Sequence, residues 1–424
     1  MYRETEFDYF EGNSFSDIFR KDVADSGHAL LLSYPCTAQW SRYPNTETYL
    51  IQDGSSETTK VGFDKIFQKE PWKNLAILGD DLPGILMDEP PSALVSYWRE
   101  HFGFNYDNRI VLPPESYCED INSDPYVQNL ITLFPFDHIA SEKHAVNPVD
   151  HYDLLSKTRL ADMGVHYPYY KVFDFREVGP EDVELQAAYP YLIKTSHGLA
   201  GEGTYIIRNE KSLDFCRKEV RTYLRAGQVN AVVVSDFVKN EVQNYCVQFY
   251  VDRDGHPTLL GATNQLVTAA GAHLGGLIHY RETDMSKFYH KIAVISRFVH
   301  KHGYFGVVGV DILEDADGQL HLIDANIRIN GSTPLCLLRH TLLAMGREVA
   351  KYCTDYRMEG TLDEVLASLR PELDRKDLIV FSALEVQDDR PTRCEIYGVV
   401  TGENLEQLQH IEAQLSRKGL WIET

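Results

Sequence analysis

The spacing of apolar and polar positions changes several times along the chain, and each change marks an element. Two runs near the N-terminus, HALLLSYP from His28 and NLAILGDD from Asn74, are almost wholly apolar and end in polar loops. Such runs suit strands buried on both faces of a parallel sheet. The GDD loop reads either as a ligand loop at a strand end or as a plain connection. Residues 111–148 are interrupted by Pro, Asp and Asn (LPPES, NSDP, FPFD) and read as connecting structure around one short apolar element. A helix is expected over 153–163, stopped by Gly164. Strands are expected over 169–173, 191–194 and 204–207, a helix over 213–226, then the β-branched strand AVVVSDFV from Ala231 and strands over 244–252 and 259–268. Over 285–302, Phe288, Ile292, Ile295 and Val299 recur at helical spacing, and Gly303 ends the helix. Two strands joined by a turn follow over 306–325, then a helix entered through Ser332-Thr-Pro334. From Leu378 the pattern is strand, loop, strand at IYGVV, and a helix over 405–417.

The strand–turn–strand segment carries candidate chemistry. Asp324 and Asn326 are two apart and share a face in an extended chain, and Asp311 lies thirteen residues before Asp324, across the hairpin. Three oxygen-bearing side chains on one face suit a hard cation such as Mg²⁺, which also binds phosphates; the plainer alternative is an acidic hairpin with a polar face. Upstream, Lys194 ends an apolar strand and is followed by Gly198, Gly201 and Gly203. Glycines so spaced allow backbone N–H groups to wrap phosphate oxygens, with the lysine as a point charge, although a glycine-rich turn has the same composition.

Composition narrows the class. The chain has 424 residues, room for two to four domains or subdomains, and a net charge of −22 from 63 acidic and 41 basic residues. That balance excludes a nucleic-acid partner, which requires a basic surface, and an anionic membrane surface. No apolar run approaches the ~20 residues of a membrane span, and the polar, acidic N-terminus is not a signal peptide. Seven cysteines without metal-ligand spacing suggest reduced thiols in the cytoplasm.

Taken in order, these segments resemble the ATP-grasp superfamily. The residues that carry the resemblance are Lys157 running into Gly164-Val-His-Tyr-Pro168, then Lys194 to Gly203, then the hinge strand Val232-Val-Val-Ser-Asp236-Phe237-Val238 with Glu241 after it, and last Asp311 with Asp324-Ala-Asn326-Ile-Arg328. The resemblance covers about residues 150–350. It departs from the family at Asp324, where a metal-bridging glutamate is usual, and at Ser235-Asp236, where acidic pairs are common. Glu241 is one residue out of the commonest register, so Gln243 or Asn244 stands as an alternative.

The resemblance implies a mixed α/β and α+β molecule: an N-terminal α/β pre-ATP-grasp domain (1–149), an ATP-grasp lid subdomain with the glycine loop (150–234), a catalytic subdomain (235–350) and a small C-terminal α+β tail (351–424). It also implies ATP and one or two Mg²⁺ ions. Lys157 and Lys194 would hold phosphates under the Gly198–Gly203 loop. Asp236, Phe237 and Val238 would face adenine, and Glu241 the ribose. Asp311, Asp324 and Asn326 would ligate metal, while Arg328 would contact the transferring phosphoryl group or the substrate carboxylate. His273, Gly276, His279, Arg281, Asn330 and Ser332 are substrate-side candidates. The implied activity joins a small-molecule carboxylic acid to an amine or amino acid through an acyl phosphate, as in small-molecule biosynthesis. Capture of the acyl phosphate by an internal amine or a thiol, or a nucleotide-binding regulator without turnover, are the alternatives. The oligomeric state is open, a homodimer included.

Overall fold

The computed structural model describes residues 7–23, 27–35, 43, 45, 47–51, 69–177, 185–198, 201, 203–267, 273–388 and 390–422. Three sheets organise them. The first is parallel, in the order β3-β2-β1-β4, from β1 (His28–Leu31), β2 (Gly84–Leu86), β3 (Arg109–Val111) and β4 (Asn129–Thr132). It is flanked by α1 (Phe15–Phe19), α2 (69–75), α3 (Ser92–Phe102), α4 (Tyr117–Ser123) and α5 (Pro148–Leu154). The run at Asn74 is not the strand expected of it. Residues 69–75 are helical and 76–78 pack beside the sheet with Leu75 to Leu78 fully buried. A short apolar run has the same pattern in a buried helix end as in a strand. The GDD loop is a connection: Asp80 accepts from the Asn105 N–H at 2.7 Å, and Asp81 faces Arg20.

The second sheet is antiparallel, in the order β5-β8-β6-β7, from β5 (Tyr170–Asp174), β6 (Tyr191–Thr195), β7 (Thr204–Ile207) and β8 (Ala231–Asp236). One face packs on α6 (Glu210–Arg225), whose Leu213, Cys216 and Val220 recur at three and four residues and meet Ile193, Val232 and Ile207 in a separate small core.

The third sheet has nine strands, in the order β13-β12-β9-β10-β11-β14-β16-β15, with β17 beside β14. Its strands are β9 (Glu241–Val251), β10 (Pro257–Val267), β11 (His273–His279), β12 (Gly306–Asp315), β13 (Leu320–Asn326), β14 (Val349–Glu359), β15 (Leu378–Val386), β16 (Arg393–Gly402) and β17 (Trp421–Ile422). Helices α7 (Tyr289–Lys301), α8 (Thr333–Leu337), α9 (Arg339–Ala344), α10 (Leu362–Asp374) and α11 (Leu405–Arg417) complete the chain. The tail strands therefore continue the same sheet through β14. The N-terminal layer shares its core: Phe19 meets Tyr250 at 5.3 Å between ring centres, and the Trp98 indole donates to the Val380 carbonyl at 3.1 Å. The helix expected over 153–163 is two pieces, α5 and a 3₁₀ helix at Lys157–Met163, because Ser156 breaks the run and caps the second piece through the Thr158 N–H; Gly164 ends it at φ 71°.

Among the described residues no helix is long and apolar enough to cross a membrane. Six cysteines are free and buried, and Cys36 lies outside the described residues.

Candidate active site

The second and third sheets face each other across a cleft with two connected chambers. The inner chamber, about 320 Å³, is lined by the hinge residues Ser235 to Val238, by Glu241 and Asn244 at the start of β9, and by apolar side chains including Leu160, Leu313 and Leu322. The outer chamber, about 420 Å³, contains Asp311, Asp324, Asn326, Arg328, Asn330, Ser332, Gly198 and Gly201. Lys157, Lys194, Asn244, Val267 and Ile323 line both, so the two lysines stand at the junction.

Local folding explains why those lysines meet. Lys157 begins the 3₁₀ helix, and its N–H donates to the Ser196 carbonyl at 2.9 Å, tying it to the end of β6. Lys194 lies on β6 in register with Val233 and Thr204, and its Nζ donates to the Ile323 carbonyl on β13 at 2.8 Å. The glycine loop leaves β6 just after it, with Gly201 at φ 92° and Gly203 at φ 72°, left-handed values that favour glycine. Gly203 turns its carbonyl to the Thr195 N–H and is not part of the chamber lining.

The acidic hairpin puts Asp311 of β12 directly opposite Asp324 of β13. Lys157 Nζ is 3.3 Å from Asp324 Oδ2, and the Ala325 N–H donates to Asp324 Oδ1 at 2.9 Å. Burial opposes ionisation of Asp324, but Lys157 and Lys194 outweigh it and hold its carboxyl below the usual range. Among the described residues Asp311 makes no ion pair, and Lys194 and Lys157 only partly offset what opposes its ionisation. It accepts from Gln265 at 2.7 Å and from Asn326 at 3.4 Å, and burial together with the facing Asp324 charge pushes its carboxyl well above the usual range. Two opposed carboxylates and a carboxamide, one of the carboxylates short of positive charge, form a hard-oxygen donor set that fits a divalent cation. Burial lowers the pKa of the Lys194 ammonium, against the pull of Asp324.

Arg328 is almost buried. It donates to the Asn326 side chain at 3.0 Å and to the Ile329 carbonyl at 2.9 Å, and its guanidinium lies 4.8 Å from the Phe134 ring centre. Asn330 donates to the Arg328 carbonyl at 2.7 Å and closes over Gly309, where a Cβ would stand 2.3 Å from Asn330 Nδ2. Asn244, at the junction of the chambers, has a buried Oδ1 with no hydrogen-bond partner among the described residues, while Gln243 does not line the inner chamber.

Other sequence candidates fall elsewhere. Gly276 lines neither chamber: it gives room to Tyr352, whose Cε1 would be 2.7 Å from a Cβ there. His279 Nδ1 lies 3.1 Å from Glu282, and Arg281 pairs with Glu348 at 2.8 Å, both outside the chambers because β11 ends there. The side chain of His273 lies outside the described residues. Conversely, Tyr34, Lys69, Glu70, Gln265, Tyr352, Thr354, Asp355 and Tyr397 line the outer chamber without having been singled out. Lys69 and Glu70 come from α2, and Tyr397 donates to the Gly331 carbonyl. None of these carried a local signal: the pairing of β14 shifts register between Cys353 and Tyr356, so Tyr352, Thr354 and Asp355 reach the chamber without a period-two pattern.

Residues 168–326 match a family model described as L-aspartate–L-methionine ligase, ATP grasp. The chain is 23% identical over 339 residues to the butirosin acyl-carrier protein–L-glutamate ligase of Niallia circulans, covering 73% of each. Among solved structures, the ADP complex of an N5-carboxyaminoimidazole ribonucleotide synthetase superposes with a TM-score of 0.54 at 10% identity, over 92% of this chain and 96% of that one. The biotin carboxylase domain of Hydrogenobacter thermophilus 2-oxoglutarate carboxylase, solved with MgADP, superposes with a TM-score of 0.50 at 13% identity, over 81% and 85%. These structural similarities show the fold.

Proposed function

Because the chain belongs to the ATP-grasp superfamily of carboxylate–amine ligases, we propose that it activates a carboxylic acid as an acyl phosphate and joins it to an amine. The observation that carries this reading is the Lys157–Asp324 pair at the junction of the chambers, with Asp311 facing it. The inner chamber suits a nucleoside: apolar walls for adenine, the Asp236–Val238 backbone for its edge, and Glu241 or the unpartnered Asn244 Oδ1 for ribose hydroxyls. A nucleotide so seated points its phosphates at Lys157 and Lys194. Asp311, Asp324 and Asn326 would hold Mg²⁺, one ion or two. A metal held there would supply charge neutralisation for the transferring phosphoryl group.

The remaining work belongs to the chain's own side chains. Arg328, fixed by Asn326, the Ile329 carbonyl and the Phe134 face, presents its planar fork to the acid or the transferring phosphoryl group. A carboxylate oxygen attacks the γ-phosphorus and ADP departs. The amine nitrogen then attacks the acyl carbon, phosphate leaves with the C–O electron pair, and the nitrogen loses its extra proton. Gly198 and Gly201 line the outer chamber, and a loop carrying them would exclude water, which otherwise hydrolyses the acyl phosphate. The test is product analysis with a panel of acids and amines. ADP and phosphate release that requires both co-substrates supports the reading; AMP release, or nucleotide binding with no turnover on any pair, overturns it.

A further inference from the structure

The outer chamber extends well beyond the acidic pair. Its far wall combines Lys69 and Glu70 at the described start of α2 with Thr354 and Asp355 on β14, the fourth strand along the sheet from β12. None of these residues lines the nucleotide chamber.

Lys69 is only 7% exposed, so its ammonium has little access to bulk water. Among the described residues its nearest oxygens are the Thr354 carbonyl at 3.4 Å, Glu395 at 3.7 Å and Asp355 at 3.8 Å. A charge-assisted N–H to O bond closes to about 2.7–2.9 Å, and an ammonium has three donors to place. None of these oxygens comes that close. Glu395 is also shared with Arg393 at 3.6 Å and Arg357 at 3.9 Å. Lys73, one turn further along α2, shows the contrast: it is fully buried, pairs closely with Glu70 and lies 4.9 Å from the Tyr397 ring centre. One lysine of this helix is locked into the structure, and the other reaches the chamber with its donors poorly met.

We propose that Lys69 anchors a carboxylate of the co-substrate, so that the amine joined by this protein is the amino group of a free amino acid rather than a simple amine. Asp355, half-exposed on the same wall, carries the opposite charge, which suits the ammonium of such a zwitterion. The specificity residue then comes from the N-terminal layer, outside the segment that resembles the family. This inference rests on the ligase reading, but binding alone also tests it.

The experiment screens the free amino acids against their C-terminal amides, by thermal shift and by ADP release with Mg·ATP and an acid. For at least one amino acid, the wild-type protein is expected to prefer the free form on the order of 100-fold over its amide. Lys69→Met is expected to bring that ratio to near one, and Lys69→Arg to retain most of it. Thermal stabilisation by free amino acids but not amides, lost in Lys69→Met, supports the subsite even if no ADP appears, an outcome that would sink the ligase reading alone. Equal response to free and amidated forms in the wild type, or an unchanged ratio in a folded Lys69→Met, overturns the proposal.

Discussion

Asp324 is held by Lys157 through one oxygen and by the Ala325 N–H through the other, while facing the Asp311 carboxylate. Asn in its place keeps the size and an oxygen for Ala325 but removes the charge. It weakens the Lys157 pair and also relieves the repulsion with Asp311, so the fold is expected to survive. ADP release is expected to fall on the order of 100-fold or more, since a charged metal ligand is lost; near-normal release from Asp324→Asn would sink the metal assignment. Asn244 makes the opposite case, because its buried Oδ1 has no partner among the described residues. Asn244→Ala removes an unmet acceptor, so stability should stay level while KM for ATP rises about tenfold, roughly the worth of one or two hydrogen bonds. An unchanged KM would assign the ribose contact to Glu241 alone. The hairpin residues were legible in the sequence because period-two parity and thirteen-residue spacing are local rules. Lys69 and Asp355 were not legible: they reach the chamber only when α2 and β14, far apart in sequence, are brought to it by tertiary packing.

At the scale of elements, α6 shows how local chemistry supports the second sheet. Asn209 caps its first turn by accepting from the Ser212 N–H, and the Ser212 hydroxyl accepts from the Asn209 N–H in return. Asn209→Ala should cost about 1 kcal/mol of helix stability and speed amide exchange across the first turns of α6. Exchange that stays unchanged would mean that packing of Leu213 and Val220 alone holds the helix. Elements with a strong period, such as α7 and the β12–β13 hairpin, and α11 with its Asn404 cap, could be read directly. The Asn74 run could not, since its apolar residues fit a helix end as well as a strand. The α10 helix carries a usable signal, a capping box at Thr361 and Glu364 with Leu362, Val365, Leu369 and Leu373 at helical spacing. β14 lacked one, because it is buried between β11 and β16 and carries Lys351, Asp355 and Arg357 among its apolar residues.

At the scale of the whole molecule, two buried imidazoles sit where the N-terminal layer meets the other two sheets. His151 on α5 holds the Ile327 carbonyl beside Arg328 at 2.9 Å. His197, between β6 and the glycine loop, stacks on Tyr152 at 3.8 Å between ring centres and reaches the Tyr152 carbonyl. Burial keeps both neutral, lowering His151 to about 4 and His197 to about 3 from an ordinary value of 6.5. The unfolded chain binds these protons first, so the stability the neutral rings contribute is complete above about pH 6.5 and is lost as pH falls toward 4. Each ring should cost about 1.4 kcal/mol per pH unit once below that value. Between pH 6.5 and 5.5 ordinary carboxylates remain ionised, so the net charge of −22 and its self-repulsion change little from that source. A fall in melting temperature across that interval therefore reports the desolvated imidazoles rather than the acidic surface, His101, His144 and His166 included because burial lowers them too, and His151→Gln or His197→Gln should each flatten the slope by its own share whatever it does to the absolute stability. A melting temperature that is level from pH 6.5 to 5.5 in the wild-type protein would show that the joints open to water and protonate without loss of the fold.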